Sequence, residues 1–127
     1  MSNQAKQALI LFAHGARDPR WAEPFRKLAE RVQAQRPDII VALAFLELMS
    51  PRLPDCVPQL VGQGCEKISV VPVFLGQGGH VLRDLPLLLD DLRRAYPELQ
   101  LDVAQAVGED ESVQEAMARY CVATLSA

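Results

Sequence analysis

The chain has 127 residues, half of them hydrophobic and 23% charged, with a net charge of −3 and an isoelectric point near 5.3. This is the size and make-up of one globular domain with its own core, and it excludes a disordered chain. The lack of a long basic run excludes a nucleic-acid footprint, and the longest apolar run is far too short to span a membrane.

Cys56, Cys65 and Cys121 are odd in number and form no C-x-x-C, so neither a disulfide framework nor a zinc ribbon is indicated. Met1 to Gln7 are polar and carry no apolar signal-peptide centre. The expectation is a single domain over 1–127, with a polar N-terminal extension over 1–7, in a reducing cytoplasm.

Ala8 to Ala13 form a short continuous apolar run, which predicts a buried strand. His14-Gly15-Ala16-Arg17 then reads as a loop. Asp18-Pro19 is a cap-and-proline helix start, followed by Trp21, Phe25, Leu28, Ala29 and Val32 at helical spacing. Ile39 to Leu46 predicts a second strand ending at Glu47. Ser50-Pro51 repeats the helix start, with Leu53, Cys56, Val57, Leu60 and Val61 on one face. Pro54 and Pro58 within that segment predict an irregular or broken helix.

Ile68 to Leu75 predicts a third strand, in which Pro72 would be awkward at a central position. Gly76-Gln77-Gly78-Gly79-His80 reads as a flexible loop. A helix follows over Asp84 to Tyr96, capped by Asp84 with Pro86 in its first turn. Leu99 to Val107 is a weaker fourth strand. Asp110 to Leu125 is an amphipathic helix with Val113, Ala116, Met117, Tyr120 and Cys121 on one face.

Strands alternating with helices imply a doubly wound α/β fold: a parallel four-stranded sheet with helices on both faces. The simplest order is flavodoxin-like, 2-1-3-4, with ligands expected beyond the carboxyl ends of the strands where the order reverses. The chain has two histidines. His14 follows strand one and His80 follows strand three, so both fall at that switch point. Neutral imidazole binds many divalent transition metals. Glu47 lies at the same edge, whereas Glu66 lies at the opposite one. Two histidines and one carboxylate make an open shell, which suits a metal that must be given away. Gly76, Gly78 and Gly79 fit either a tight turn or the close approach of a flat ligand. Arg17, Arg20, Arg52 and Arg83 sit near loop ends and would give an acidic protein a basic mouth for an anionic ligand.

Other motifs are missing. No G-x-G-x-x-G, P-loop or G-x-S-x-G occurs. Ala13-His14-Gly15 lacks the arginine of the histidine-phosphatase signature, which argues against a phosphatase-like hydrolase.

Leu11-Phe12-Ala13-His14-Gly15-Ala16-Arg17, Phe45-Leu46-Glu47-Leu48 with Pro51, and Val70-Val71-Pro72-Val73-Phe74-Leu75 with Gly78-Gly79-His80-Val81 and Asp84-Leu85-Pro86 together resemble the small CbiX-type class II chelatases. The third block is the most specific. The resemblance runs from about Ala8 to Tyr120. It implies a flavodoxin-like chelatase fold with no organic cofactor, in which a divalent metal (Co2+, Ni2+ or Fe2+) is a substrate inserted into sirohydrochlorin or a similar tetrapyrrole. By that resemblance His14 and His80 hold the metal and accept protons, Glu47 is a secondary base or ligand, and Arg17, Arg83, Gly78 and Gly79 meet the macrocycle. It also implies a homodimer with the tetrapyrrole between two copies. Ala16 stands where the family often has serine, and the histidine-rich stretch of some relatives is missing. The alternative is a non-catalytic metal or tetrapyrrole carrier of the same fold.

Overall fold

The computed structural model describes residues 6–76 and 78–125, with residues 79, 80 and 82 described by their backbone alone. Strands β1 (Lys6–Ala13), β2 (Ile40–Phe45), β3 (Cys65–Pro72) and β4 (Gln100–Val103) alternate with helices α1 (Glu23–Gln35), α2 (Leu53–Gly62), α3 (Gly79–Ala95) and α4 (Glu111–Ala123). Short 3-10 turns at Pro19–Ala22 and Val107–Glu109 precede α1 and α4. The sheet is wholly parallel in the order β2-β1-β3-β4, as the sequence predicts.

Alternation along the strands sorts the core. Ala8, Ile10 and Phe12 of β1 share one face with Ile68 and Val70 of β3 and Leu101 of β4. Leu53, Cys56, Val57 and Leu60 of α2, with Val81, Leu85, Leu89 and Leu92 of α3, close over it. Each such large side chain contributes roughly 1.5–3 kcal/mol when fully buried. On the opposite face a smaller cluster gathers Ala13, Ala22 and Phe45 against Trp21, Phe25, Leu43 and Met49, so α1 covers β1 and β2.

Several elements depart from expectation. The α2 helix is continuous, because Pro54 falls in its first turn, where the missing N–H costs nothing, and only Pro58 is interior. Ser50 does not cap it. The Ser50–Pro51 bond is cis, the Pro51 carbonyl accepts from Phe45 N, and Arg52 pairs beside the end of β2, so the helix starts two residues late. The α3 helix starts at Gly79 rather than Asp84, which puts His80 in its first turn and Pro86 in its interior. Gly78 takes the N-cap position without a side-chain bond, and the exposed Pro86 leaves its turn open to water.

Pro72 ends β3 without a broken ladder. Val73 N donates to Phe12 O on the β1 side, so position 72 faces β4, whose pairing has stopped at Val70–Val103. The fourth strand is half as long as predicted, with Val107 in a 3-10 turn. The predicted apolar face of α4 is not buried. α4 rests on the Val107–Glu109 turn rather than on the sheet and leaves Tyr120 72% exposed.

Candidate functional site

His14 leaves β1 and Glu47 leaves β2 at the carboxyl edge of the sheet. Strand pairing continues past both strand ends: Leu46 N donates to Ala13 O at 2.9 Å and Glu47 N donates to His14 O at 3.1 Å. Between them Gly15 is buried at φ +97, and a β-carbon there would lie 1.8 Å from the Glu47 carbonyl oxygen. Only glycine fits, both for the left-handed backbone and for the space. The next residue after the carboxylate, Leu48, is itself at φ +67, a conformation that costs a non-glycine residue about 1–2 kcal/mol.

These constraints set His14 Nε2 3.4 Å from Glu47 Oε1, with both side chains half exposed. Two metal bonds of about 2.1 Å opened to a tetrahedral angle span about 3.4 Å, so the pair can hold one ion between them or pass a proton. Among the described residues no group of three or more His, Cys, Asp and Glu side chains is placed to hold a metal. The two-donor pair is therefore open to further ligands.

Phe74 orients the histidine. Its ring meets His14 edge-on, with centroids 6.1 Å apart and planes at 70°, and it meets Phe12 in the same way at 5.9 Å. The carbonyl of Phe74 accepts from Gly108 N at 2.8 Å, and the Gly108 carbonyl accepts from the Gln114 side chain of α4 at 3.0 Å. A β-carbon on Gly108 would lie 2.1 Å from the Leu75 carbonyl oxygen. The root of the loop that leads to His80 is thus clasped by the turn before α4. Sequence reading missed Phe74 and Gly108 as site residues. Their one signal, an aromatic and a lone glycine at strand exits, is common to many folds.

His80 lies on the first turn of α3, which follows β3, the strand beside β1, and its imidazole lies outside the described residues. Gly78 is exposed at the helix N-cap. Of the arginines, Arg20 is held by both oxygens of Asp18, Arg52 reaches the Leu46 carbonyl at 3.3 Å, and Arg83 lies 3.4 Å from the adjacent Asp84. Arg17 is exposed and has no ion pair or side-chain hydrogen bond among the described residues. The sheet edge thus joins His14, Glu47 and Arg17, while Arg83 stands apart on α3.

The thiols take no part in this edge. Cys56 is buried in the core, where desolvation pushes its thiol up to about 11, and burial also raises Cys65, while Cys121 is exposed on α4.

The CbiX family model matches residues 8–122. A sirohydrochlorin cobaltochelatase of Methanocaldococcus jannaschii is 42% identical over 83 residues, which are 65% of this chain and 58% of that protein. The chain thus spans little more than half the length of such relatives. A second, from Saccharolobus solfataricus, is 31% identical over 117 residues, covering 87% of this chain and 90% of that one. Among solved structures, a CbiX protein from Marinobacter aquaeolei VT8 superposes with a TM-score of 0.82 at 32% identity, over 93% of this chain and 96% of the other. SirB from Bacillus subtilis with Fe3+ superposes with a TM-score of 0.80 at 25% identity, over 96% of this chain but 48% of the longer one. A family match over nearly the whole sequence, with a fold shared along 96% of a solved CbiX protein, makes this chain a member of the CbiX family.

Proposed function

We propose that this protein inserts a divalent metal ion, Co2+, Ni2+ or Fe2+, into sirohydrochlorin or a closely related tetrapyrrole. The observation that carries the reading is the His14–Glu47 pair, 3.4 Å apart and open to solvent at the edge where the strand order reverses. Insertion needs two events at one place. The ring must lose two pyrrole protons, and the ion must exchange its ligands for ring nitrogens. A neutral imidazole and a carboxylate perform either task, and a shell short of four protein ligands releases its ion readily.

In this reading His14 and His80 hold the incoming ion and accept the pyrrole protons. Glu47 is the nearby base that relieves His14. Gly78 and Gly79 let the backbone approach the ring, and Arg17 and Arg83 meet its carboxylates. The metal is a substrate, and no organic cofactor enters.

The protein works in the cytoplasm as a homodimer with the macrocycle between two copies. Two facts support the pairing. SirB, matched over 48% of its length, carries about twice as much chain, and α4 presents an apolar face that its own sheet leaves uncovered. No helix is long and apolar enough to cross a membrane among the described residues.

The test is an anaerobic absorbance assay with sirohydrochlorin and each of the three metals. The wild type is expected to speed the spectral shift of insertion, and His14→Ala to abolish the gain. Glu47→Gln is expected to slow insertion by about 100-fold or more, as loss of one general base does. A wild type that binds ring or ion but never exceeds the enzyme-free rate would make the protein a carrier.

A further inference from the structure

We propose that a notch beside the His14–Glu47 pair is a carboxylate-binding subsite built by Arg17 and Arg26, which seats one acidic arm of the macrocycle. The proposal rests on the tetrapyrrole reading above and adds to it a specific pocket and a cation, Arg26, on a different element from the loop arginines.

The notch encloses about 240 Å3 between the exits of β1 and β2 and the start of α1, ample for an acetate or propionate group. Its walls include Arg17, Pro19, Arg26, Phe45, Leu48 and Met49. It starts two residues past His14, at Ala16, and one past Glu47, at Leu48. A ligand seated at His14 and Glu47 reaches it by bending over the carboxyl edge of the sheet, because the notch lies on the α1 face and His14 packs against Phe74 on the other.

Charge favours an anion there. Asp18, the acid next to Arg17, is occupied on both oxygens by Arg20, at 2.8–3.2 Å. That engagement holds the Asp18 carboxyl below the usual carboxylate range. Among the described residues Arg26 has one ion-pair partner, Glu23 at 3.6 Å one turn back, and both side chains are half exposed. Such a pair is weak and readily exchanged for a better acceptor. The notch thus carries two guanidinium groups against one loosely held carboxylate, on a protein whose net charge is −3. Planar guanidinium binds carboxylate through two parallel hydrogen bonds.

The walls fit the rest of such a ligand. Phe45 is buried at the floor and Met49 is half-buried beside it, which keeps water from one side of the charges and strengthens their field. Leu48 stands at the rim, 59% exposed, on a strained backbone. An exposed leucine beside paired arginines matches a flat apolar ring with acidic arms at its edge. Arg83 is the poorer clamp, because Asp84 next to it already offers a carboxylate.

The chain's one tryptophan reports on this place. The Trp21 ring lies 6.4 Å from that of Phe45, the floor of the notch. The experiment titrates the full chain with metal-free sirohydrochlorin while following Trp21 emission, then repeats it with tricarballylate, a simple tricarboxylate. Arg26→Gln and Arg17→Gln are each expected to weaken macrocycle binding about three- to ten-fold. They should raise KM for the macrocycle with little change in kcat, and Arg31→Gln on α1 should bind as the wild type does. Tricarballylate should compete with the macrocycle on the wild type, a readout that needs no variant to fold.

Wild-type affinity in both variants, with no competition, would overturn the notch and leave the chelatase reading intact. A wild type that binds tricarballylate through these arginines but no tetrapyrrole would keep the carboxylate site and remove the chelatase reading. Binding of neither would overturn both.

Discussion

Gly15 and Gly76 both follow a central strand at the same edge of the sheet. A β-carbon at Gly15 would sit 1.8 Å from the Glu47 carbonyl oxygen, whereas one at Gly76 would meet nothing within 4 Å. The same contrast separates Gly108, pressed against Leu75, from Gly78, which is open. The β1–β2 side of the site is therefore fixed by its own packing, with His14 and Glu47 set before any ligand arrives. The loop after β3 is held at its root, through Phe74 and Gly108, and Gly76 and Gly78 have no steric reason inside the fold. One side is preorganised by the fold. The other has open space at Gly76 and Gly78.

The largest expected effect belongs to the packed side. Gly15→Ala combines a left-handed backbone with a backbone collision and should cost about 3 kcal/mol or more in urea unfolding. An unchanged midpoint would mean that the Gly15–Glu47 contact is not what fixes the pair. Gly108→Ala forces a backbone shift at Leu75 and should cost about 1–3 kcal/mol, and it should also slow metal insertion by moving Phe74 away from His14. If insertion survives at the wild-type rate, the clasp is structural only.

Acid probes both sides together. Asp18 caps the turn before α1 and Asp110 caps α4, and both have lowered pKa values, from Arg20 and from Ser112 respectively. Asp38, held by Arg36, is lowered to about 2. Folded values below the unfolded ones mean that the stability these groups lend is complete above about pH 4. It is lost as pH falls through the folded values toward 2. Thermal midpoints measured from pH 5 to pH 2.5 should fall, and Asp38→Asn should flatten the fall. A profile flat down to pH 2.5 would refute this assignment.

The smallest effect is expected at Gly76. Gly76→Ala should leave stability within about 0.5 kcal/mol of the wild type. Slower insertion with unchanged stability would show that the loop glycine serves the macrocycle, and no change in either would remove it from the site.

Much of this was legible in the sequence because the signals were local. Apolar runs such as Ala8 to Ala13 announce buried strands, and the alternation of strand and helix leaves few topologies, so the order 2-1-3-4 and the common edge of His14 and Glu47 followed. What was not legible depended on tertiary contact. Pro72 is harmless because β4 stops short of it, and Pro58 is tolerated inside an otherwise regular α2. The start of α3 was placed five residues late because glycines read as loop, although an N-cap and first turn accept them. The face of α4 was correctly found to be apolar, but no periodicity reveals that the helix packs on the Val107–Glu109 turn and leaves that face exposed. Arg26 carried no signal in the sequence, and only the fold brings it to the same notch as Phe45 and Met49.

The continuation of β1–β2 pairing into His14 and Glu47 also has a kinetic consequence. The two donors lie on parallel strands that cannot pair until the chain between them, including α1, has crossed over the sheet. Parallel pairing of this kind is among the slower steps in forming a fold. Until then His14 is an isolated imidazole, a poor ligand by itself. The paired donors exist only once the sheet does, so metal affinity at this edge should appear late in folding, with the β1–β2 crossover.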